Sequence, residues 1–197
     1  MKTLLSPLRA AVLGVLLAVV PGCIPTLHPL YEGSDLVYRP ELVGLWAGKG
    51  SSWAFSREGG LPAGGPGPMT YVLAYSDRDG TSGRFRAHLV ELGGHLFLDL
   101  HPADLEAPRP GLWKHHFVKV HTFYRVDELG DRLELRSLDG EWLEGVLRKT
   151  PGRVAHARVD GRLVLTAPTG ELRRFVREAA GRPEAWAKES SVLDKSE

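Results

Sequence analysis

The sequence predicts a mainly β protein, an antiparallel meander of about eight strands with helices near its C-terminus. Three observations carry that reading. Short runs alternate apolar and polar residues, turn-forming Gly, Asp and Pro separate them, and a helical period appears only twice, late in the chain. With 43% hydrophobic and 25% charged residues, the composition is that of a globular chain and sets disorder aside.

The strand runs follow in order. LVGLWAG (42–48) and SWAFS (52–56) are parted by Gly and Ser, and MTYVLAYS (69–76) leads into DRDG (77–80), a polar turn closed by Gly. GRFRAHLVEL (83–92) sets Phe85, Ala87 and Leu89 on one face against Arg86 and His88 on the other. Gly93-Gly94 turns tightly into HLFLDL (95–100), where Leu96, Leu98 and Leu100 share a face and Asp99 is expected to meet solvent. FVKVHTFYRV (117–126) alternates Val118, Val120, Thr122, Tyr124 and Val126 against Phe117, Lys119, His121, Phe123 and Arg125. DRLELRSL (131–138) continues the series, and RLVLTA (162–167), after an Asp160-Gly161 turn, is expected to close it. A sheet of this size curls into a barrel or splits into a sandwich, because exposed edges invite pairing with other chains.

The period changes twice. Trp142, Leu143, Val146 and Leu147 form a helical stripe, with Asp139 placed as its cap and Pro151-Gly152 as its stop. Leu172, Phe175, Val176, Ala179 and Ala180 form a second stripe that opens at Thr169, carries Glu171 in its first turn and ends at Gly181. A short helix from Pro183 carries Trp186, and SSVLDKSE (190–197) reads as a frayed end. Two long connections interrupt the strands. REGGLPAGGPGP (57–68) is rich in Gly and Pro, and HPADLEAPRPGLWKHH (101–116) holds Trp113, His115 and His116. Loops of that length are often functional, so these three residues are candidates for the mouth of a ligand site. Trp113 reads as a lid, a membrane-surface contact or a loop anchor, and the loop anchor is the favoured reading.

The N-terminus predicts export. Lys2 and Arg9 precede AAVLGVLLAVV (10–20), and Pro21-Gly22 then breaks any helix before Cys23. Eleven apolar residues fall short of the roughly 20 that span a bilayer, although an uncleaved anchor is the alternative. Cys23 is the only cysteine, so it has no internal disulfide partner; a free or intermolecular thiol is the plain reading. The order Val20-Pro21-Gly22-Cys23 resembles the lipobox of bacterial lipoproteins. That resemblance implies cleavage between Gly22 and Cys23, fatty acylation (palmitate) of Cys23, and a firm anchor, since two or more acyl chains hold where one does not. Ile24 stands where inner-membrane retention would place Asp, which points to the outer membrane, facing the periplasm. The expected organisation is a signal peptide (1–22), a lipid-anchored tether (23–40), a β-barrel-like domain (41–167) with a helix inserted near 139–149, and a C-terminal helical segment (168–197).

Gly44-Leu45-Trp46, after a turn containing Pro40, resembles the opening strand of lipocalins and their calycin relatives. The resemblance implies that Trp46 plugs the closed end of an eight-stranded barrel, with Gly44 beside it, and that a late cation lies across the ring. Arg173 and Arg174 are the candidates. The second lipocalin signature, Thr-Asp-Tyr, is absent. More of the chain, from Cys23 to about Phe175, is similar to small uncharacterised bacterial lipoproteins, through CIPTLHPLY, LVGLW, HLFLDL, HTFYRV and LTAPTGELRRF.

Catalytic and metal signatures are missing. His88, His95, His101, His115, His116 and His121 match no zinc spacing, and neither HExxH nor a cysteine pair occurs, so the histidines are expected as partly exposed groups at strand ends and no metal is expected. There is no GxSxG and no phosphate loop, and Asp99 and His121 join a serine only by free choice. No cofactor and no enzymatic activity are expected. Removing residues 1–22 leaves 23 basic and 24 acidic groups, a balance that gives no reason to invoke nucleic acid. Two functions fit: an envelope binding module for a small apolar or amphipathic ligand, or an assembly protein that engages another envelope protein without a cavity.

Overall fold

The computed structural model describes residues 23–59, 69–103, 111–114 and 116–196. Gly22 and the expected signal segment, His115, and the side chains of Trp113 and Lys114 lie outside what is described. Among the described residues there are eleven strands: β1 (Leu36–Val37), β2 (Gly44–Gly48), β3 (Ser51–Arg57), β4 (Thr70–Asp77), β5 (Ser82–Leu92), β6 (His95–Pro102), β7 (Thr122–Leu129), β8 (Arg132–Ser137), β9 (His156–Val159), β10 (Arg162–Leu165) and β11 (Ser191–Ser196). The helices are α1 (Gly111–Lys114), α2 (Gly140–Lys149) and α3 (Thr169–Ala180).

Eight of the strands close into an antiparallel barrel. Their order is β5, β4, β3, β2, β11, β8, β7, β6, and β6 returns to β5. Closure leaves no barrel edge unpaired, which answers the choice between barrel and sandwich. β1 adds Leu36 and Val37 to Val90 and Leu89, the part of β5 that runs past the end of β4.

The last barrel strand is not the expected one. Arg162–Leu165 pairs with His156–Val159 as a separate hairpin about Asp160-Gly161, both in the left-handed region at φ 49° and 78°. The barrel is closed by β11, from the stretch that read as frayed. Only Val192 and Leu193 are apolar there, and Leu193 alone is buried, so the alternation was too thin to read. Backbone pairing with β2 on one side and β8 on the other holds the strand. The helices do follow their sequence signals. The Asp139 carboxylate accepts from Trp142 N at 2.7 Å to cap α2, and α3 ends at Gly181. From Pro183 the chain makes a single 3₁₀ turn, after which Trp186 is buried.

Two cores share the wall formed by β5, β6 and β7. Inside the barrel lie Trp46, Leu73, Ala87, Leu89, Leu98 and Leu135, all essentially unexposed. Outside it, Val90, Leu92, Phe97 and Phe123 pack against Leu143 of α2, Phe175 and Val176 of α3, and Leu30 of the N-terminal segment. The inward and outward alternation read from the sequence is therefore right for 83–92, 95–100 and 122–126. The strand expected over 117–126 starts only at Thr122, and Phe117 and Val118 before it are exposed. The equation of outward with solvent is not right: Asp99 points outward and is 0% exposed.

The N-terminal segment is fastened along that outer wall. Thr26 and His121 exchange backbone hydrogen bonds of 2.8 Å, Leu27 N donates to Leu165 O at 2.9 Å, and Leu165 N donates to Pro25 O at 2.9 Å.

One end of the barrel, here the base, is where β2, β4, β6 and β8 begin; the opposite end is the rim. The base is sealed. Trp46 is fully buried and its Nε1 donates to Leu42 O at 2.8 Å; Tyr71 is fully buried and its hydroxyl donates to Arg39 O at 3.0 Å while accepting from Arg39 N at 2.7 Å. The late cation across Trp46 is Lys195 of β11, with Nζ 5.0 Å from a ring centroid and donating to Glu41 O at 2.7 Å. Neither Arg173 nor Arg174 fills that role: Arg173 pairs with Glu32 at 2.9 Å and Asp35 at 2.6 Å, and Arg174 is exposed. Gly44, at φ 135°, admits this arrangement, because a Cβ there would stand 3.1 Å from Lys195 Cε.

Candidate functional site

Two places gather chemistry-bearing side chains. The first is the rim. Inward positions of β3, β4, β5 and β7 place Trp53, Tyr75, Phe85 and Tyr124 there, half-buried and packed edge to face: Trp53 with Tyr75 at 5.6 Å, Trp53 with Tyr124 at 6.4 Å, and Tyr75 with Phe85 at 6.5 Å between centroids. Such rings supply large apolar area with directional edges. The Cys23 thiol donates to the Tyr124 hydroxyl at 2.8 Å, so the only cysteine of the chain sits at this same end. Burial holds that thiol above its usual range, against the lowering pull of its bond to Tyr124.

The two long connections do not frame one mouth. β3 ends and β4 begins at the base, whereas β6 ends and β7 begins at the rim. Of the mouth candidates, Trp113 lies in α1 on the rim-side connection, His116 is exposed on the same connection, and His115 is outside the described residues. Leu112 (73% exposed) and Val118 (72%) stand on it with their side chains in water. A further groove of about 360 Å³, lined by Trp142, Val146, Phe175, Ala179, Lys149 and Arg182, lies between α2 and α3, outside the barrel. Among the described residues no helix is long and apolar enough to cross a membrane.

The second place is a histidine cluster on the outer wall, under the N-terminal segment. The β5–β6 register sets His88 opposite Asp99 and Arg86 opposite His101; Asp99 faces Phe123 on β7, and His121 comes just before that strand. His121 Nδ1 lies 2.6 Å from Asp99 Oδ1, and Leu30 N donates to Asp99 Oδ2 at 3.0 Å. His88 Nε2 lies 3.1 Å from Thr70 Oγ1. The rings of His88 and His101 stack at 5.8 Å, His101 meets His121 at 4.7 Å, and Tyr31 covers His88 at 4.5 Å. His88 Nδ1 and His101 Nδ1 are buried without a hydrogen-bond partner.

Burial pulls His88 down to about 4, helped by His101 and His121 and opposed by Asp99. His101 is lowered by burial and then by His121. Burial therefore favours the neutral form of both imidazoles. The expectation of histidines partly exposed at strand ends fails for His88 and His121, which are 6% and 9% exposed. One sequence signal does lead to the cluster. A two-residue turn at Gly93-Gly94 pairs Leu92 with His95, and counting back from that pair puts His88 beside Asp99.

Comparison of the chain with protein-family models, curated proteins and solved structures finds no match, so fold and sites rest on the residues of this chain alone.

Proposed function

We propose that the protein is an envelope lipoprotein, anchored through acylated Cys23, whose calycin-like barrel takes a small apolar or amphipathic ligand at its rim. The observation that carries this reading is a coincidence at one end of the barrel. The base is sealed, whereas the rim combines four half-buried aromatic rings, the Cys23 thiol, and exposed Leu112 and Val118 on the adjoining connection. The segment after Cys23 is bonded to the wall from Pro25 onward, which leaves little slack between an acylated Cys23 and the barrel. An anchored molecule would hold its rim close to the bilayer, and the exposed apolar side chains would meet lipid instead of water. A ligand drawn from the membrane would then reach the aromatic rings without crossing bulk solvent. The outer membrane, facing the periplasm, is the proposed location, with the signal segment 1–22 removed.

The anchor is tested by metabolic labelling with an alkynyl palmitate in wild type and Cys23→Ala. Label and membrane retention should both vanish in the variant; retention without label would overturn the anchor. The ligand is tested separately with a fluorescent long-chain fatty acid titrated into the purified protein. Trp53→Arg should weaken its binding roughly 10-fold or more, the loss expected from putting a charge into an apolar site. Equal binding by the variant would remove the rim from the proposal.

A further inference from the structure

We propose that His88, Asp99 and His101 form a binding site for a divalent transition-metal ion of the zinc class, on the outer wall of the barrel beneath the N-terminal segment. The inference does not depend on the rim reading. One ligand atom from each of the three residues lies within 4.8 Å of the other two, with His88 and Asp99 buried and His101 half-exposed. The strands hold them in place: His88 and Asp99 are cross-strand partners, and His101 follows Asp99 on the same face of β6.

The unpartnered nitrogens point to a ligand. A buried donor or acceptor left without a partner costs about 1–3 kcal/mol, so native structures pair nearly all of them. Here two such atoms, His88 Nδ1 and His101 Nδ1, sit in one cluster. Every other polar atom named in it is engaged, in the manner of groups that orient metal ligands from behind. Thr70 fixes the far nitrogen of His88, while His121 and Leu30 N fix the two oxygens of Asp99. A carboxylate offers about four acceptor directions, so both of those bonds leave Asp99 free to ligate.

The donor set selects the ion. Two imidazole nitrogens and one carboxylate suit zinc and its neighbours, whereas calcium and magnesium require oxygen ligands. Zinc–nitrogen and zinc–oxygen bonds of ~2.0–2.2 Å put tetrahedral donors ~3.4 Å apart, so small rotations of the two rings would close the set. Three protein ligands leave a fourth position for water or another donor. Because Tyr31 covers His88 and Leu30 N bonds Asp99, an ion there would also pin the N-terminal segment to the wall.

The full chain, purified without a polyhistidine tag and stripped with EDTA, is titrated with Co²⁺, then with Zn²⁺ against a chromophoric chelator. The expected result is one ion per chain, with the visible absorption of four-coordinate Co²⁺. His101→Ala should lower Zn²⁺ affinity roughly 100-fold or more, and Thr70→Val, which removes only the group behind His88, by about 10–100-fold. His101 is half-exposed and Thr70 ligates nothing in this scheme, so these variants remain informative if His88→Ala does not fold; far-UV circular dichroism verifies each. Absence of stoichiometric binding overturns the proposal. So does six-coordinate Co²⁺ absorption from exposed histidines, or unchanged affinity in both His101→Ala and Thr70→Val.

Discussion

The base and the rim of this barrel are both furnished with aromatic rings, yet they use them in opposite ways. At the base Trp46 and Tyr71 are 0% exposed, and each anchors its polar atom to a backbone carbonyl of the segment that leads into β2. At the rim Trp53, Tyr75, Phe85 and Tyr124 touch mainly one another and keep part of their surface open. A ring that is enclosed and hydrogen-bonded contributes its full burial to the fold. A ring left half-open contributes less and keeps surface free for something else.

The sharpest way to break that comparison is to truncate the two tryptophans that pair across the β2–β3 ladder, Trp46, whose ring bonds back to Leu42 at the base, and Trp53, whose ring meets Tyr75 towards the rim. Trp46→Ala should cost about 3–5 kcal/mol, as deletion of a fully buried aromatic ring does, with the loss of the Leu42 contact included. Trp53→Ala, at the rim, should cost about 1–2 kcal/mol, because less apolar area leaves water there. Urea unfolding followed by circular dichroism reads both. Equal costs would mean that the rim rings serve stability as fully as the base rings do, and the case for a spare binding surface would fall with that result.

The sequence carried most of the barrel and little of the chemistry on its wall. Alternation in 83–92 and 95–100 assigned Leu89 and Leu98 to the interior correctly, because a β-strand has only two faces and residues two apart share one. It could not tell what lay over the other face. His88, Asp99 and His121 read as solvent-facing because residues 24–31, which cover them, have no period of their own. Their burial follows from a tertiary event, the fastening of Thr26 and Leu30 across β6 and β7. β11 was missed for a related reason: its place depends on two partner strands more than on its own pattern. The Gly44-Leu45-Trp46 triplet gave the opposite lesson. Three residues marked the buried plug, while the cation over it came from Lys195, in the tail, because β11 lies beside β2 and its register sets Lys195 opposite Trp46.

That cation gives the smallest and most local test of the base. Lys195 is exposed, so its ammonium remains hydrated and its attraction to the Trp46 ring is worth about 0.5–1 kcal/mol. Its bond to Glu41 O contributes on the order of 1 kcal/mol and ties β11 to the turn before β2. Lys195→Met keeps the aliphatic stem over the ring and removes only the charge and its donor. A loss of about 1.5–2 kcal/mol in the same unfolding assay is expected at low salt, shrinking as salt screens the exposed ammonium. Arg173→Met provides the contrast, because Arg173 serves Glu32 and Asp35 on the outer wall and has no contact with the plug. If Lys195→Met were silent, Trp46 would be held by burial and Leu42 alone, and the base would owe nothing to the closing strand beyond its backbone.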